Sequence, residues 1–149
     1  MRQSPPTRTS SDMRTPTDTA KHIFSAFGRG DVAAILASLA PDVQWEYGPA
    51  SQNVPWYQNR RGVEGAADFF KSLAGCEFHR FDTTAFIAEG DTVVVLVDSD
   101  YTVKKTGKRV VYEDAVFLLK FNADGSIRRF AHRVDLHQAW LAYNSEDAA

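Results

Sequence analysis

The chain has 149 residues, of which 44% are hydrophobic and 24% charged, with a formal net charge of −2. That is the size and balance of one globular domain able to bury a core, with no global attraction for nucleic acid or an anionic membrane. A single cysteine, Cys76, excludes an intrachain disulfide, and no apolar run approaches the ~20 residues of a membrane span.

Residues 1–16 are rich in Ser, Thr, Pro and Arg, and their only apolar side chains are methionines. Such a segment cannot offset the entropy of ordering itself, so a flexible tail is predicted, with Met13 an alternative start. Its arginines precede no apolar h-region, which argues against a secretory signal and leaves a cytoplasmic location as the expectation. One domain over 17–149 follows, without an internal repeat.

Ala20, Ile23, Phe24 and Phe27 recur at helical spacing, and Gly28 is a natural stop. Asp31 is placed to cap a second helix with the stripe Val32, Ile35, Leu36 and Leu39, ended by Pro41. Val43, Trp45 and Tyr47 then alternate as a short strand. GPASQNVPWYQNRRG reads as a long loop carrying Trp56 and Tyr57, either a lid over a pocket or part of an interface. A third helix over 64–73 shows Ala66, Phe69, Phe70 and Leu73 on one face.

Beyond Glu77 the period changes to two. Strands are predicted at 78–88, 92–103, 109–121 and 127–135, separated by Glu89-Gly90-Asp91, Thr106-Gly107 and Asp124-Gly125. The basic cluster Lys104, Lys105, Lys108 and Arg109 falls at a solvated hairpin tip. Asp135 and Gln138 have the spacing of a helix cap. Helices first and a meander afterwards give an α+β fold, with three N-terminal helices on one face of a curved antiparallel sheet.

Alternation also sorts the faces. Val93, Val95, Val97, Ser99, Tyr101 and Val103 share the helix-facing side, and Asp98 and Asp100 the other. On the next strand Val111, Glu113, Ala115, Phe117, Leu119 and Phe121 are predicted inward, with Tyr112, Asp114, Val116 and Leu118 outward. A two-residue turn at Asp124-Gly125 would pair Phe117 with His132 and put Arg128, Phe130, His132 and Val134 on the core face. Asp98, Asp100 and Asp114 are then surface residues, with Arg129 and Arg133 as ion partners.

The pocket predicted inside is lined by Trp45, Ser99, Glu113, Phe117, Phe24, Phe70, Trp56 and Tyr57. His132 is its acid–base candidate, because an imidazole titrates near neutral pH; a core histidine satisfied by one hydrogen bond is an equal reading. Tyr47 and Tyr101 are the candidate donors to a ligand oxygen. No histidine stands at ligand spacing from a carboxylate or cysteine, so no metal is expected. There is no phosphate loop and no nucleic-acid surface.

The order of several segments resembles a known family: helix–Gly-Asp–helix-APDVQWEYGP, VPWYQNRRGVEGAADFFKSL, FIAEGDTVVVLV, KKTGK and FNADGSIRRFAHRVD. Over about residues 17–143 the chain resembles the SnoaL-like and ketosteroid-isomerase-like branch of the nuclear transport factor 2-like proteins. The resemblance implies a cone of curved sheet closed by three helices, a ligand held inside, and often a homodimer through the sheet. Ketosteroid isomerases use a strand carboxylate as base, and Tyr47 stands in that region here. Related epoxide hydrolases use an Asp–Arg–Asp set, which corresponds to Ser99, Tyr101 and His132. Neither set is present, although His132 holds the last-strand position where relatives place an acid–base group.

The expectation is therefore a cofactor-free isomerase, cyclase or (de)hydratase acting on a small apolar or carbonyl-containing molecule. The alternative is a non-catalytic ligand-binding or dimerisation domain of the same fold.

Overall fold

A computed structural model of the protein describes residues 14–48 and 53–145. Most of the predicted tail, with Met13, lies outside them. Thr15 and Pro16 already belong to the domain. Helix α1 (Pro16–Gly28) starts with Pro in its first turn, and a reciprocal capping box joins Thr15 and Asp18. Asp31 accepts from the Ala34 amide and caps the short α2 (Val32–Leu36). That helix stops before Leu39, because Leu39–Glu46 is already strand β1. After β2 (Arg60–Arg61) comes α3 (Gly62–Ser72). The long strands β3 (Cys76–Glu89), β4 (Thr92–Val103), β5 (Arg109–Phe121) and β6 (Ile127–Arg133) follow, and then α4 (Leu136–Asn144), capped by Asp135 as expected.

The six strands form one open sheet in the order β2-β1-β6-β5-β4-β3. Its β3–β6 meander is antiparallel, but β1 runs parallel to β6, so the sheet is mixed where antiparallel pairing was expected. Parallel neighbours need a long crossover, and here the whole β2–β5 stretch supplies it. The fold is α+β with helices on a curved sheet, as read from the sequence. No helix among the described residues is long and apolar enough to cross a membrane.

β4 follows the predicted alternation throughout, with Val93, Val95, Val97, Ser99, Tyr101 and Val103 all buried. β5 does not. Val97 pairs with Ala115 but Ser99 with Tyr112, so Glu113 and Asp114 together oppose Asp98 alone. This is a β-bulge, and it reverses the parity of everything before it. The Asp98 carboxylate accepts the Asp114 amide at 3.0 Å, and Asp114 adopts φ 56°, a left-handed conformation that Asp tolerates better than most residues. Val110 and Tyr112 consequently face inward, while Val111 and Glu113, both predicted inward, are exposed.

The hairpin into β6 holds two compensating irregularities. The turn is one residue longer than expected: the Asn122 amide donates to Ser126 O and the Gly125 amide to Asn122 O, with Gly125 at φ 91°. An extra residue at Arg128 then restores the register, since Phe121 pairs with Ile127 and Lys120 with Arg129. Phe117 thus sits opposite His132 as expected, but Ile127 replaces Arg128 in the core. Arg128 pairs instead with Asp91 at 2.8 Å.

The surface carboxylates also find partners other than those expected. Asp98 pairs with Arg80 at 3.4 Å, Asp100 with Arg109, and Arg129 with Glu46 at 2.9 Å. The basic hairpin tip docks on α4: the Thr106 hydroxyl donates to Ala142 O at 2.7 Å, and Lys105 lies 4.2 Å from the Tyr143 ring centre.

Candidate functional site

The inner face of the sheet and helices α1–α3 enclose a cavity of about 60 Å³. Its wall is almost wholly Phe, Tyr, Trp and aliphatic side chains, with Ser99, Tyr101 and His132 as polar members. Each element contributes through the periodicity that buries it. α1 supplies Ile23, Phe24 and Phe27, α3 supplies Phe69 and Phe70, and β1 supplies Trp45. β4, β5 and β6 supply Ser99, Tyr101, Phe117, Phe130 and His132.

The residues predicted for this pocket divide clearly. Trp45, Ser99, Phe117, Phe24, Phe70, Trp56, Tyr57, Tyr101 and His132 all line the cavity. Glu113 does not; the bulge turns it to the opposite side of the sheet, where it borders an outer groove. Tyr47 is 2% exposed and stands just behind the cavity wall. Its ring centre lies 5.0 Å from Tyr57 and 5.4 Å from His132. Phe27, Phe69, Phe78, Phe81 and Phe130 were not singled out as ligand contacts. Phe27, Phe69 and Phe130 were already on predicted core faces, and their stripes carried the signal.

Trp56 and Tyr57 close the cavity. Trp56 Nε1 donates to the Tyr101 hydroxyl at 3.1 Å, and that hydroxyl donates to the Tyr57 hydroxyl at 3.3 Å. The Trp56 ring packs so closely on Gly75 that an added Cβ there would fall 3.0 Å from it. The loop is anchored by Asn59, which accepts the Tyr47 amide at 2.7 Å and donates to Gly48 O at 2.8 Å.

His132 stacks on Phe117 with ring centres 3.8 Å apart and planes 15° from parallel. It is 8% exposed, and its Nδ1 has no hydrogen-bond partner. Burial pushes its pKa down to about 3, with the neighbouring Arg133 charge acting in the same direction. With Glu113 on the far side of the sheet, no carboxylate offsets that loss, and the ring is neutral at physiological pH. Burial drives Tyr47 and Tyr57 well above the ordinary phenol value and Tyr101 to about 12. These phenols are hydrogen-bond donors at neutral pH, not bases. Cys76 is buried and raised to about 12, chiefly by burial, which leaves no thiolate for nucleophilic work.

Among the described residues His132 Nδ1 and Arg60 Nε are buried without a hydrogen-bond partner, and Trp45 Nε1 and Tyr47 OH have none but each other, lying close enough for the indole to favour the phenolate without a well-formed bond. Buried polar groups are nearly always paired, because an orphan costs roughly 1–3 kcal/mol. Trp45 and His132 line the aromatic cavity, and Tyr47 stands behind its wall against His132. Among the described residues no three His, Cys, Asp or Glu side chains are grouped to hold a metal ion.

Several solved structures share this architecture. A nuclear transport factor 2-like protein from Burkholderia thailandensis E264 superposes with a TM-score of 0.77 at 25% identity, over 89% of this chain and 100% of that one. TerC, co-crystallised with polyporic acid, gives 0.72 at 20% identity, over 88% and 100%. An LEH-like epoxide hydrolase of M. tuberculosis gives 0.65 at 15% identity, over 86% and 88%. No curated protein matches the chain. The SnoaL-like domain family matches residues 20–130, across α1 to the middle of β6. With that match and this open, helix-covered sheet, the chain belongs to the SnoaL-like family of nuclear transport factor 2-like proteins.

Proposed function

We propose that the protein binds a small, flat, largely apolar molecule carrying an oxygen function, and that His132 exchanges a proton with that oxygen. The observation that carries this reading is His132 Nδ1, buried without a partner in the wall of an otherwise apolar chamber, with the Trp45 indole also in that wall and the Tyr47 ring behind it. A ligand carbonyl or hydroxyl would satisfy the imidazole, and the aromatic walls, which must part because the closed cavity holds only about 60 Å³, would hold the remaining skeleton. The binding of polyporic acid by TerC, which shares the fold, supports a small-molecule role.

The reaction class that fits is acid–base isomerisation, cyclisation or (de)hydration without a cofactor. Trp45 and Tyr47 would stabilise negative charge growing on the ligand oxygen, which in a dry site is the larger part of such catalysis. A neutral imidazole with a pKa near 3 is a weak base. Anionic charge developing on the ligand beside it would raise that value and make proton transfer to the ring favourable. Binding without turnover is the second reading, favoured by the commitment of the Tyr101 hydroxyl to Trp56 and Tyr57.

Binding of naphthalene and of naphthol, followed by tryptophan fluorescence, tests the reading. Naphthol is expected to bind about fivefold tighter, the effect of one net hydrogen bond. His132→Phe should remove that preference and keep naphthalene binding. Failure of both probes to bind, or a preference that survives in His132→Phe, counts against it.

A further inference from the structure

The aromatic cavity has a blind end and an end that comes to the surface. Around His132 its lining is buried, with Trp45, Trp56, Tyr57, Phe117 and Phe130 all shielded from solvent. At the other end Phe27, Phe70, Leu73 and Phe81 are half-buried and Phe78 is 36% exposed, although all five line the same space. The cavity therefore opens at Phe78, between the last turn of α1, the end of α3 and the start of β3.

Packed rings plug this opening. The Phe27 ring centre lies 4.7 Å from Phe81, 5.9 Å from Phe78 and 6.2 Å from Phe70. β3 supplies two of these rings through a bulge of its own. Phe78 pairs with Tyr101 and Arg80 with Asp100, which leaves His79 as an extra residue. Strict alternation would send Phe78 and Phe81 to opposite faces of the sheet, and the extra residue turns both toward the helices. β3 is also the edge of the sheet, so no further strand confines the rings it carries.

A cavity of about 60 Å³ cannot enclose a ligand of useful size. Even benzene occupies an engineered void of about 150 Å³. A molecule whose oxygen reaches His132 must therefore extend outward. Toward Trp56 and Tyr57, extension breaks the hydrogen-bonded chain through Tyr101. At Phe78 the rings are held by packing alone and part without the loss of a hydrogen bond.

We infer that the mouth at Phe27, Phe78 and Phe81 is a second subsite, which takes a hydrocarbon tail trailing behind the oxygen-bearing end of the ligand. The inference rests on the cavity being the binding site. The cavity lining holds no Asp, Glu, Lys or Arg, so a polar tail finds no partner there and loses its water. A hydrocarbon tail covers rings that now face solvent, and apolar area leaves water on both sides of the contact. The ligand class is an elongated amphiphile that enters oxygen first, and Phe78 sets the preference for its tail.

Four probes with one body test this: naphthol, and naphthols carrying an ethyl, a pentyl or a methoxyethoxy chain on the ring edge opposite the hydroxyl. They are titrated against the full chain and a Phe78→Thr variant, a substitution that suits a partly exposed edge strand. Affinity is expected to rise about threefold per methylene from ethyl to pentyl, a little below the value for full burial because one side of the rim faces water. The methoxyethoxy chain, of pentyl length, should bring no such gain. In Phe78→Thr the gain per methylene should fall, whatever happens to naphthol itself. No gain from the hydrocarbon chain, an equal gain from the ether chain, or a gain unchanged in Phe78→Thr overturns the subsite. Should Phe78→Thr fail to fold, the comparison of pentyl with methoxyethoxy in the wild type decides alone. Naphthol bound with its dependence on His132, but with every chain excluded, overturns the subsite and leaves the cavity reading intact. Binding of no probe removes both.

Discussion

A histidine held neutral against Phe117 and Tyr47 is a pH-sensitive contributor to stability. In the unfolded chain an imidazole takes up its proton near pH 6.5, and in the folded protein His132 does so only near 3. Between those values the unfolded state binds the extra proton. The contribution is therefore complete above pH 6.5 and is lost as the pH falls through the window. One proton corresponds to about 1.4 kcal/mol per pH unit. The pKa values of Asp91, Asp100 and Asp124 are lowered from the ordinary carboxylate value by their hydrogen bonds, so their contribution is present above that value, is lost only as the pH falls through it, and enters little between pH 7 and pH 5. Chemical denaturation at pH 7 and pH 5 should thus show wild type losing roughly 2 kcal/mol more than His132→Phe. Equal losses would mean that the ring is not held neutral. At Cys76 the outcome is simpler: with its thiol near 12, the native protein should react with a thiol reagent at pH 8 far more slowly than the denatured chain.

The bulge in β5 is the element on which the site's geometry turns. Asp114 at φ 56° is predicted to accept Gly without loss of stability, while Asp114→Val should cost about 1–2 kcal/mol, the strain of a β-branched residue in that conformation. Asp98→Ala should cost about 1 kcal/mol, because it removes the acceptor of the Asp114 amide at the price of an unpaired donor. Urea unfolding of the three variants checks both; an unaffected Asp98→Ala protein would show that the bulge holds without its acceptor. This element also marks the limit of what alternation reveals. β4 is legible residue by residue because Val-X-Val-X-Val continues into Ser99 and Tyr101 without interruption. In VVYEDAV either parity buries apolar groups, so nothing local distinguishes Tyr112 inward from Val111 inward. The bulge is specified by a cross-strand contact from Asp98, which a single-strand pattern does not contain. His132 was placed correctly only because the longer turn and the extra residue at Arg128 cancel. Pairing of β1 with β6 was equally invisible, since it joins segments some 80 residues apart.

At the scale of the whole molecule, the outer face of the sheet carries an apolar stripe. Ile87 pairs with Val94, Val94 with Leu118, and Leu96 with Val116, and the ion pairs of Arg80 with Asp98 and Arg109 with Asp100 flank the stripe at one end. Tyr112, expected in this patch, is buried inward, and Val111 takes its place on the outer side. We propose that a second copy of the chain covers this face. Sedimentation should then give a dimer at micromolar concentration, and Leu96→Lys a folded monomer; a monomeric wild type rejects the proposal. The cavity lies on the other side of the sheet, so binding does not depend on that outcome. Its most direct test is a crystal structure of the full chain with naphthol. The fused ring should lie among Phe117, Phe130 and Trp45, with its oxygen about 3 Å from His132 Nδ1. Naphthol bound elsewhere, or an empty cavity in which Nδ1 is bonded to the protein's own backbone, would contradict the account.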